Sequence, residues 1–142
     1  MSEKILLVDD EKDFLSVMSE RMTARGMEVT TAESAQEALQ QVESGSFDAI
    51  VLDLMMPGVD GIETLKAIKQ RKPELQVILL SGHATLEKGI EAMKLGAMDF
   101  VEKPANIDDL TDRIKKAQAQ KAVIVEQQME SKLKNIINAK GW

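Results

Sequence analysis

The chain has 142 residues, the length of one domain with a short remainder, which is enough to bury a core. It contains no cysteine, which excludes a disulfide framework and a thiolate metal site. The formal net charge of −6 argues against nucleic acid as a direct partner, because phosphate contacts need clustered lysine and arginine.

Hydropathy excludes two further classes. No apolar stretch approaches the roughly 18 residues that a membrane span needs. Glu3 and Lys4 precede the first apolar run, so we expect no signal peptide. A cytoplasmic protein without membrane contact is the resulting expectation.

Charge divides the chain in two. Residues 1–120 carry 14 basic and 22 acidic side chains, whereas residues 121–142 carry 4 basic and 2 acidic ones. We therefore expect a folded domain at 1–120 and a helical extension or linker at 121–142. The positive balance of the second region is too small to imply DNA binding.

Short apolar or β-prone runs alternate with helical patterns along the domain. The runs predict strands at residues 5–8, 28–31, 49–52, 77–80 and 100–102. Strand–helix alternation repeated five times predicts a parallel sheet with helices on both faces.

The first three helices have clear boundaries. The first ends before Gly26, and a capping box from Ser34 to Glu37 opens the second. The third covers residues 61–71 and ends before Pro73. The apolar face of the first helix consists of Phe14, Leu15, Met18 and Met22.

The fourth helix is predicted at residues 85–95, ends at Gly96, and carries the apolar residues Leu86, Ile90 and Met93. Asn106 is a favourable N-cap for the fifth helix. The packing face of the fifth helix consists of Ile107, Leu110, Ile114 and Ala117.

The fifth helix does not end with the domain. No Pro or Gly occurs between Asn106 and Gly141, so the helix can run for about 30 residues, or roughly 45 Å. An extension of this kind must bury its apolar stripe to be stable. We expect it to mediate self-association or to dock on a partner; a frayed helix and a linker are the alternatives. The stripe consists of Ala122, Val125, Met129, Leu133 and Ile136.

Polar residues follow four of the predicted strands. Asp9 and Asp10 follow the first, Asp53 ends the third, Ser81 follows the fourth and Lys103 follows the fifth. In parallel sheets these ends share one edge, where ligands bind. Clustered carboxylates favour a hard cation such as Mg²⁺, and Mg²⁺ opposite an ammonium suits a transferring phosphoryl group. The residues alone therefore suggest that Asp53 is a phosphorylated, nucleophilic aspartate.

These motifs together resemble the receiver domain of two-component response regulators. Their order and spacing fit that family from about residue 3 to residue 117. The matching elements are Val8-Asp9-Asp10, Asp53-Leu54-Met55-Met56-Pro57-Gly58, Ser81-Gly82, Gly96-Ala97 and Lys103-Pro104.

The resemblance implies a flavodoxin-like, doubly wound (βα)5 sandwich of three layers, with a parallel five-stranded sheet of order 2-1-3-4-5. It also implies a Mg²⁺ site. The metal ligands would be Asp9, Asp10, Asp53 and the backbone carbonyl of Met55.

Further roles come from the same resemblance. A cis bond between Lys103 and Pro104 would point the lysine ammonium at the phosphoryl group. Ser81 would be the switch hydroxyl, and Phe100 the aromatic switch residue, here without the phenol that the commoner Tyr provides. His83 would lie at the rim of the site and tune access of water.

The implied function is acceptance of a phosphoryl group from a histidine kinase or a histidine phosphotransfer protein. The surface of the fourth and fifth helices would then change and control a downstream protein target, or a homodimer through the fifth helix and its extension. No enzyme activity is expected beyond self-phosphotransfer and slow self-dephosphorylation.

The same residues also allow other interpretations. Asp53 and Ser81 can be turn or helix caps, Lys103 an ordinary solvated lysine and His83 a loop residue without a role. A phosphatase of the haloacid dehalogenase type would need a second Asp at the position of Met55. A flavin-binding protein would need a phosphate-cradling loop where Asp9 and Asp10 stand, and a degenerate receiver would lack the intact acidic set.

Overall fold

The computed structural model describes residues 2–56, 59–82 and 86–139, without the side chains of residues 55, 59, 86 and 139. Within these residues the chain forms seven strands and five helices. The strands are β1 Lys4–Val8, β2 Glu28–Ala32, β3 Ala49–Asp53, β4 Met55–Met56, β5 Val59–Asp60, β6 Gln76–Ser81 and β7 Asp99–Glu102. The helices are α1 Lys12–Ala24, α2 Ala35–Ser44, α3 Gly61–Arg71, α4 Leu86–Lys94 and α5 Ile107–Ala139.

The main sheet has the predicted topology. Its strands lie in the order β2-β1-β3-β6-β7, and every neighbouring pair is parallel. Counted among these strands alone, the order is 2-1-3-4-5, as expected. The two-residue strands β4 and β5 form a separate antiparallel hairpin, which the sequence pattern did not predict.

Helices cover both faces of the sheet and give the protein two apolar layers. Alternate residues of each buried strand enter opposite layers, so Val51 lies in one and Leu52 in the other. Buried residues of α1 and α5 line the layer of Val51, and those of α2, α3 and α4 line the layer of Leu52. This three-layer arrangement confirms the predicted fold class.

Local signals set the helix boundaries as predicted. The Ser34 hydroxyl accepts a hydrogen bond from the Glu37 N–H at 3.1 Å, which caps α2. The Asn106 side chain accepts bonds from the N–H groups of Asp108 and Asp109 at 2.9 and 3.1 Å, which caps α5. Helix α3 has the predicted bounds.

The packing of α4 leaves two of its large apolar side chains on the surface. Ile90 and Met93 are about half exposed, at 47% and 48%, whereas Ala92 is fully buried and Leu95 packs against the core. The apolar spacing of Ile90 and Met93 therefore does not mark the buried face. The sheet accepts the smaller residue, and two large apolar side chains remain on the surface.

Helix α5 runs for 33 residues and passes beyond the sheet. The Lys121 ammonium donates a hydrogen bond to the Phe47 carbonyl at 2.6 Å and lies 3.9 Å from Asp48 Oδ1. Both partners precede β3, so the helix leaves the body at the edge opposite Asp53. Beyond Lys121 most of the predicted stripe is exposed, with Met129 and Leu133 at 66% and 58%, whereas Val125 is half-buried.

None of the helices described is both long and apolar enough to cross a membrane.

Candidate functional site

Two carboxylates lie side by side in the interior at the carboxyl edge of the sheet. Val8 pairs with Leu52 in the register of β1 and β3, and the next step places Asp9 beside Asp53. Both side chains are buried, at 0% and 3% exposure. Two buried charges require a counter-charge, because desolvation penalises an unpaired carboxylate.

The Asp9 side chain is held in place from its own strand end. Its Oδ1 accepts a hydrogen bond from the Glu11 N–H at 2.9 Å, and its backbone N–H donates to the Ala32 carbonyl at 3.1 Å. These bonds orient the second carboxylate oxygen toward the site.

A third carboxylate completes an acidic cluster. One oxygen from each of Asp9, Asp10 and Asp53 lies within 4.8 Å of the other two. Oxygens bound to a single Mg²⁺ at about 2.0–2.1 Å are at most about 4.2 Å apart. A small inward movement would therefore let all three bind one ion, and exposed Asp10 leaves the cluster open to solvent. The donor set fits Mg²⁺, which keeps waters and prefers carboxylate oxygens.

Lys103 supplies the opposite charge. Its Nζ lies 2.7 Å from Asp9 Oδ2, 3.7 Å from Asp53 Oδ2 and 3.9 Å from Glu11 Oε1. Burial lowers the pKa of the Lys103 ammonium, but the hydrogen bond to Asp9 and the charges of Asp53, Asp9 and Glu11 outweigh it and raise the pKa above 10.5. The group is therefore a permanent cation at neutral pH.

Phe14 is a site residue that the sequence pattern assigned only to a helix face. The Lys103 Nζ lies 4.4 Å from the centroid of its ring, within the range of a cation–π contact. The ammonium thus contacts the ring of Phe14 as well as the carboxylates of Asp9 and Asp53. Only its position one helical turn after Asp10 could have suggested this, and that spacing is common.

Ser81 and Phe100 lie on the face of the sheet that α2, α3 and α4 cover. Phe100 pairs with Leu79 in register and packs against the layer of α2, α3 and α4. Ser81 follows Leu79 by two residues, so it alternates onto the same face, and it is fully buried. The predicted hydroxyl and aromatic residues therefore share the face that α4 covers.

The structure describes two of the three remaining predicted site residues, Pro104 and Met55. The Lys103–Pro104 peptide bond is cis, and the Lys103 N–H donates to the Ser81 carbonyl at 2.8 Å, which joins the ends of β7 and β6. Met55 begins β4, two residues after Asp53. His83 lies outside the described residues.

Comparison with known proteins agrees with this site. Residues 5–115 match the model of the response regulator receiver domain. The chain is 35% identical over 120 residues to the transcriptional regulatory protein ZraR of Escherichia coli O157:H7, covering 84% of this chain and 27% of that protein.

Solved structures of receiver domains have the same architecture. A receiver domain protein from Clostridium thermocellum superposes with a TM-score of 0.81 at 36% identity, over 86% of this chain and 98% of that one. The beryllofluoride-activated NtrC4 receiver domain dimer superposes with a TM-score of 0.78 at 33% identity, over 83% and 98%.

The similarity to the curated relatives covers only part of their length. The chain spans about a quarter of the length of the curated relatives it matches, as the 27% coverage of ZraR shows. The shared part is the domain that carries the acidic cluster. The family match, the strand order and the acidic edge lead to one assignment: the chain belongs to the receiver domain family of two-component response regulators.

Proposed function

We propose that Asp53 is the phosphoryl acceptor of this receiver domain. The observation that supports it best is the buried Asp53 carboxylate beside Asp9, with the Lys103 ammonium 3.7 Å from its Oδ2. A carboxylate at a strand end with a cation on one side can attack phosphorus in line. Asp10 is exposed and Asp9 is bonded to Lys103, so neither is as well placed to attack.

The phosphoryl donor is a phosphohistidine on a histidine kinase or a histidine phosphotransfer protein. An Asp53 oxygen forms a bond to phosphorus as the bond from phosphorus to the histidine nitrogen breaks. The nitrogen keeps the electron pair, and the product is an aspartyl phosphate. The Lys103 ammonium faces the equatorial oxygens and stabilises their charge.

The acidic cluster would hold Mg²⁺. Asp9, Asp10, Asp53 and the Met55 carbonyl would be its protein ligands, and the ion would supply positive charge that neutralises the phosphoryl oxygens. His83, two residues after Ser81 in the sequence, tunes the access of water to the aspartyl phosphate.

The phosphorylated state is transmitted through the face that α4 covers. Ser81 moves toward the phosphoryl oxygen and Phe100 moves into the space that Ser81 leaves. The Phe100 ring lies 3.9 Å from where a Cβ of Gly89 would be, so its movement reaches the α4 backbone directly. The half-exposed Ile90 and Met93 then form part of the surface that changes.

Two outputs fit this surface. One is a downstream protein target that recognises α4 and α5. The other is a second copy of the chain, bound through α5 and its extension. The exposed stripe at Met129 and Leu133 supports the second copy, and a similar receiver domain has been solved as an activated dimer.

The remaining assignments rest on the same function. The receiver unit covers residues 1–120, and residues 121–142 are a separate extension or linker, which is helical as far as Ala139. The protein acts in the cytoplasm, where kinases supply phosphohistidine, and it has no activity beyond self-phosphotransfer and slow self-dephosphorylation.

A mass measurement tests the acceptor. The wild-type protein, incubated with acetyl phosphate and Mg²⁺, should gain one phosphoryl group, and Asp53→Asn should gain none. Asp48→Asn, at the opposite edge of the sheet, should gain the group as the wild type does. An equal gain in Asp53→Asn would overturn the assignment.

A further inference from the structure

The segment after Asp53 is a small antiparallel hairpin. Met55 pairs with Asp60 and Met56 with Val59. The first strand of the hairpin begins two residues after Asp53, and the second ends where α3 begins. The hairpin therefore links the proposed acceptor to the N-terminus of a helix.

Gly61 closes this hairpin against Leu54. One further step of the register places Leu54 opposite Gly61. A Cβ at Gly61 would lie 2.4 Å from the Leu54 carbonyl oxygen and 2.8 Å from its Cα. Real Cβ atoms do not approach other heavy atoms so closely. Gly61 has no positive φ, so the requirement is for space and not for an unusual backbone conformation.

Neither side of this contact can move freely. On the α3 side, the Asp60 carboxylate accepts a hydrogen bond from the Ile62 N–H at 2.9 Å and caps the helix. On the sheet side, the Leu54 N–H donates to the Leu80 carbonyl at 2.9 Å, and its side chain is buried. A side chain at position 61 would therefore have to displace one of two anchored segments.

We propose that Gly61 is a positioning residue for the metal site. Its lack of a side chain sets how closely α3 approaches Leu54, and so fixes Asp53 and Met55, the neighbours of Leu54. The inference rests on the proposed function, because Asp53 and the Met55 carbonyl matter as ligands only if the cluster binds Mg²⁺. Displacing Leu54 would move both ligands together.

The test compares Mg²⁺ affinity with stability. Gly61→Ala should weaken Mg²⁺ binding, measured by titration calorimetry on the folded protein, by about tenfold to a hundredfold, as changes behind metal ligands do. Gly45→Ala is the matched control. A Cβ there would also be crowded, at 3.1 Å from the Gln41 carbonyl oxygen, but it lies at the end of α2, far from the cluster.

The control separates positioning from a general loss of stability. Gly45→Ala should lower the melting temperature and leave the Mg²⁺ dissociation constant unchanged. If Gly61→Ala also keeps the wild-type constant, the inference is wrong. If the wild type itself fails to bind Mg²⁺, the proposed metal site fails instead, and the two failures are thus distinct.

A measurement on the wild type covers the case in which Gly61→Ala does not fold. Mg²⁺ should slow amide hydrogen exchange in the hairpin and at Ile62, because binding at Asp53 and Met55 would fix the segment that Gly61 closes. Unchanged exchange at saturating Mg²⁺ would overturn the proposal, provided that calorimetry shows binding.

Discussion

The Lys103 ammonium lies closer to Asp9 than to the proposed acceptor, at 2.7 Å from Asp9 Oδ2 against 3.7 Å from Asp53 Oδ2. One cation therefore balances two buried carboxylates, and it donates a short hydrogen bond to the one that does not accept the phosphoryl group. Asp53 keeps a nearby positive charge without giving its oxygen to a short bond with the lysine.

This arrangement predicts that Lys103→Met destabilises the fold. Removing the ammonium leaves Asp9 and Asp53 buried without it, and breaking a buried pair costs about 3–5 kcal/mol. Urea unfolding in a chelating buffer should show a free energy of unfolding lower by about 3 kcal/mol. Mg²⁺ should restore part of the loss, because it supplies the missing positive charge.

Lys66→Met is the control for that experiment. Lys66 pairs with Glu63 on the surface at 3.1 Å, and exposed pairs of this kind contribute about 0.5 kcal/mol or less. Equal small losses in the two variants would show that Lys103 does not balance the buried acids.

Alkaline pH should remove the stabilisation by Lys103. Its folded-state pKa is raised above the ordinary 10.5, so the contribution is complete below that value and is lost as pH rises through the folded pKa. The chain has no tyrosine to titrate in the same range. The stability difference between wild type and Lys103→Met should be constant from neutral pH to about pH 9 and shrink above about pH 10.5. A difference that grows with pH would contradict the raised pKa.

Mg²⁺ binding should require Asp10 and Asp53 together. Mg²⁺ binds the folded state, so it should raise the melting temperature of the wild type. At a Mg²⁺ concentration a hundred times the dissociation constant, the free energy of unfolding should rise by about 2.7 kcal/mol. Asp10→Ala should lose most of that rise. Asp13→Ala removes an exposed acid in the first turn of α1, outside the cluster, and should keep it. An equal rise in Asp10→Ala would exclude a shared site.

The parts of the site that the sequence predicted are those at strand ends. Asp9, Asp53, Ser81 and Lys103 each stand next to an apolar run, and a parallel sheet brings such ends together whatever the details of packing. The strand order came from the resemblance to receiver domains, whereas the parallel sheet with helices on both faces came from the same alternation and the helix boundaries came from capping residues. These features depend on local sequence and on general rules of connection.

The parts that were missed depend on contacts between distant elements. The hairpin of β4 and β5 has two residues per strand, which is too short for a periodic pattern. The crowding at Gly61 and the cation–π contact of Phe14 arise only once helices and strands are placed. Ile90 and Met93 had core-like spacing, but the buried side of α4 depends on how Ala92 meets the sheet.

Ser81→Ala should separate acceptance from the response. One neutral hydrogen bond contributes about 1 kcal/mol, so phosphorylation of Asp53 should slow by no more than about tenfold. The change in α4 should be lost, since the variant lacks the hydroxyl that moves toward the phosphoryl oxygen. Amide hydrogen exchange in Leu86–Lys94, with and without beryllofluoride, measures this.

Ser44→Ala is the matched control, because its hydroxyl donates to the Gln40 carbonyl at the far end of α2. It should show the wild-type change in α4. If Ser81→Ala shows that change too, the signal does not pass through the hydroxyl.

The extension of α5 should hold two copies together. From Ala122 to the end of α5 it covers 18 residues, or about 27 Å, and an isolated helix of that length is marginal in water. Leu133→Glu places a charge within the stripe, and Ser131→Glu places one on the opposite side of the helix. Sedimentation velocity on the full chain with beryllofluoride should show a dimer for wild type and Ser131→Glu, and a monomer for Leu133→Glu.

A truncation provides the second arm, and its end must be chosen with care. Lys121 bonds to the Phe47 carbonyl and anchors the root of the extension, so a chain ending after Lys121 keeps the body intact, whereas one ending at Gln120 loses that bond. The chain that ends after Lys121 should be monomeric at every concentration. If wild type, both charge variants and the truncation all sediment as monomers with beryllofluoride, self-association is excluded and the stripe serves a different protein. If all except the truncation are dimers, the extension still forms the contact, but through a face other than the one that Leu133 marks.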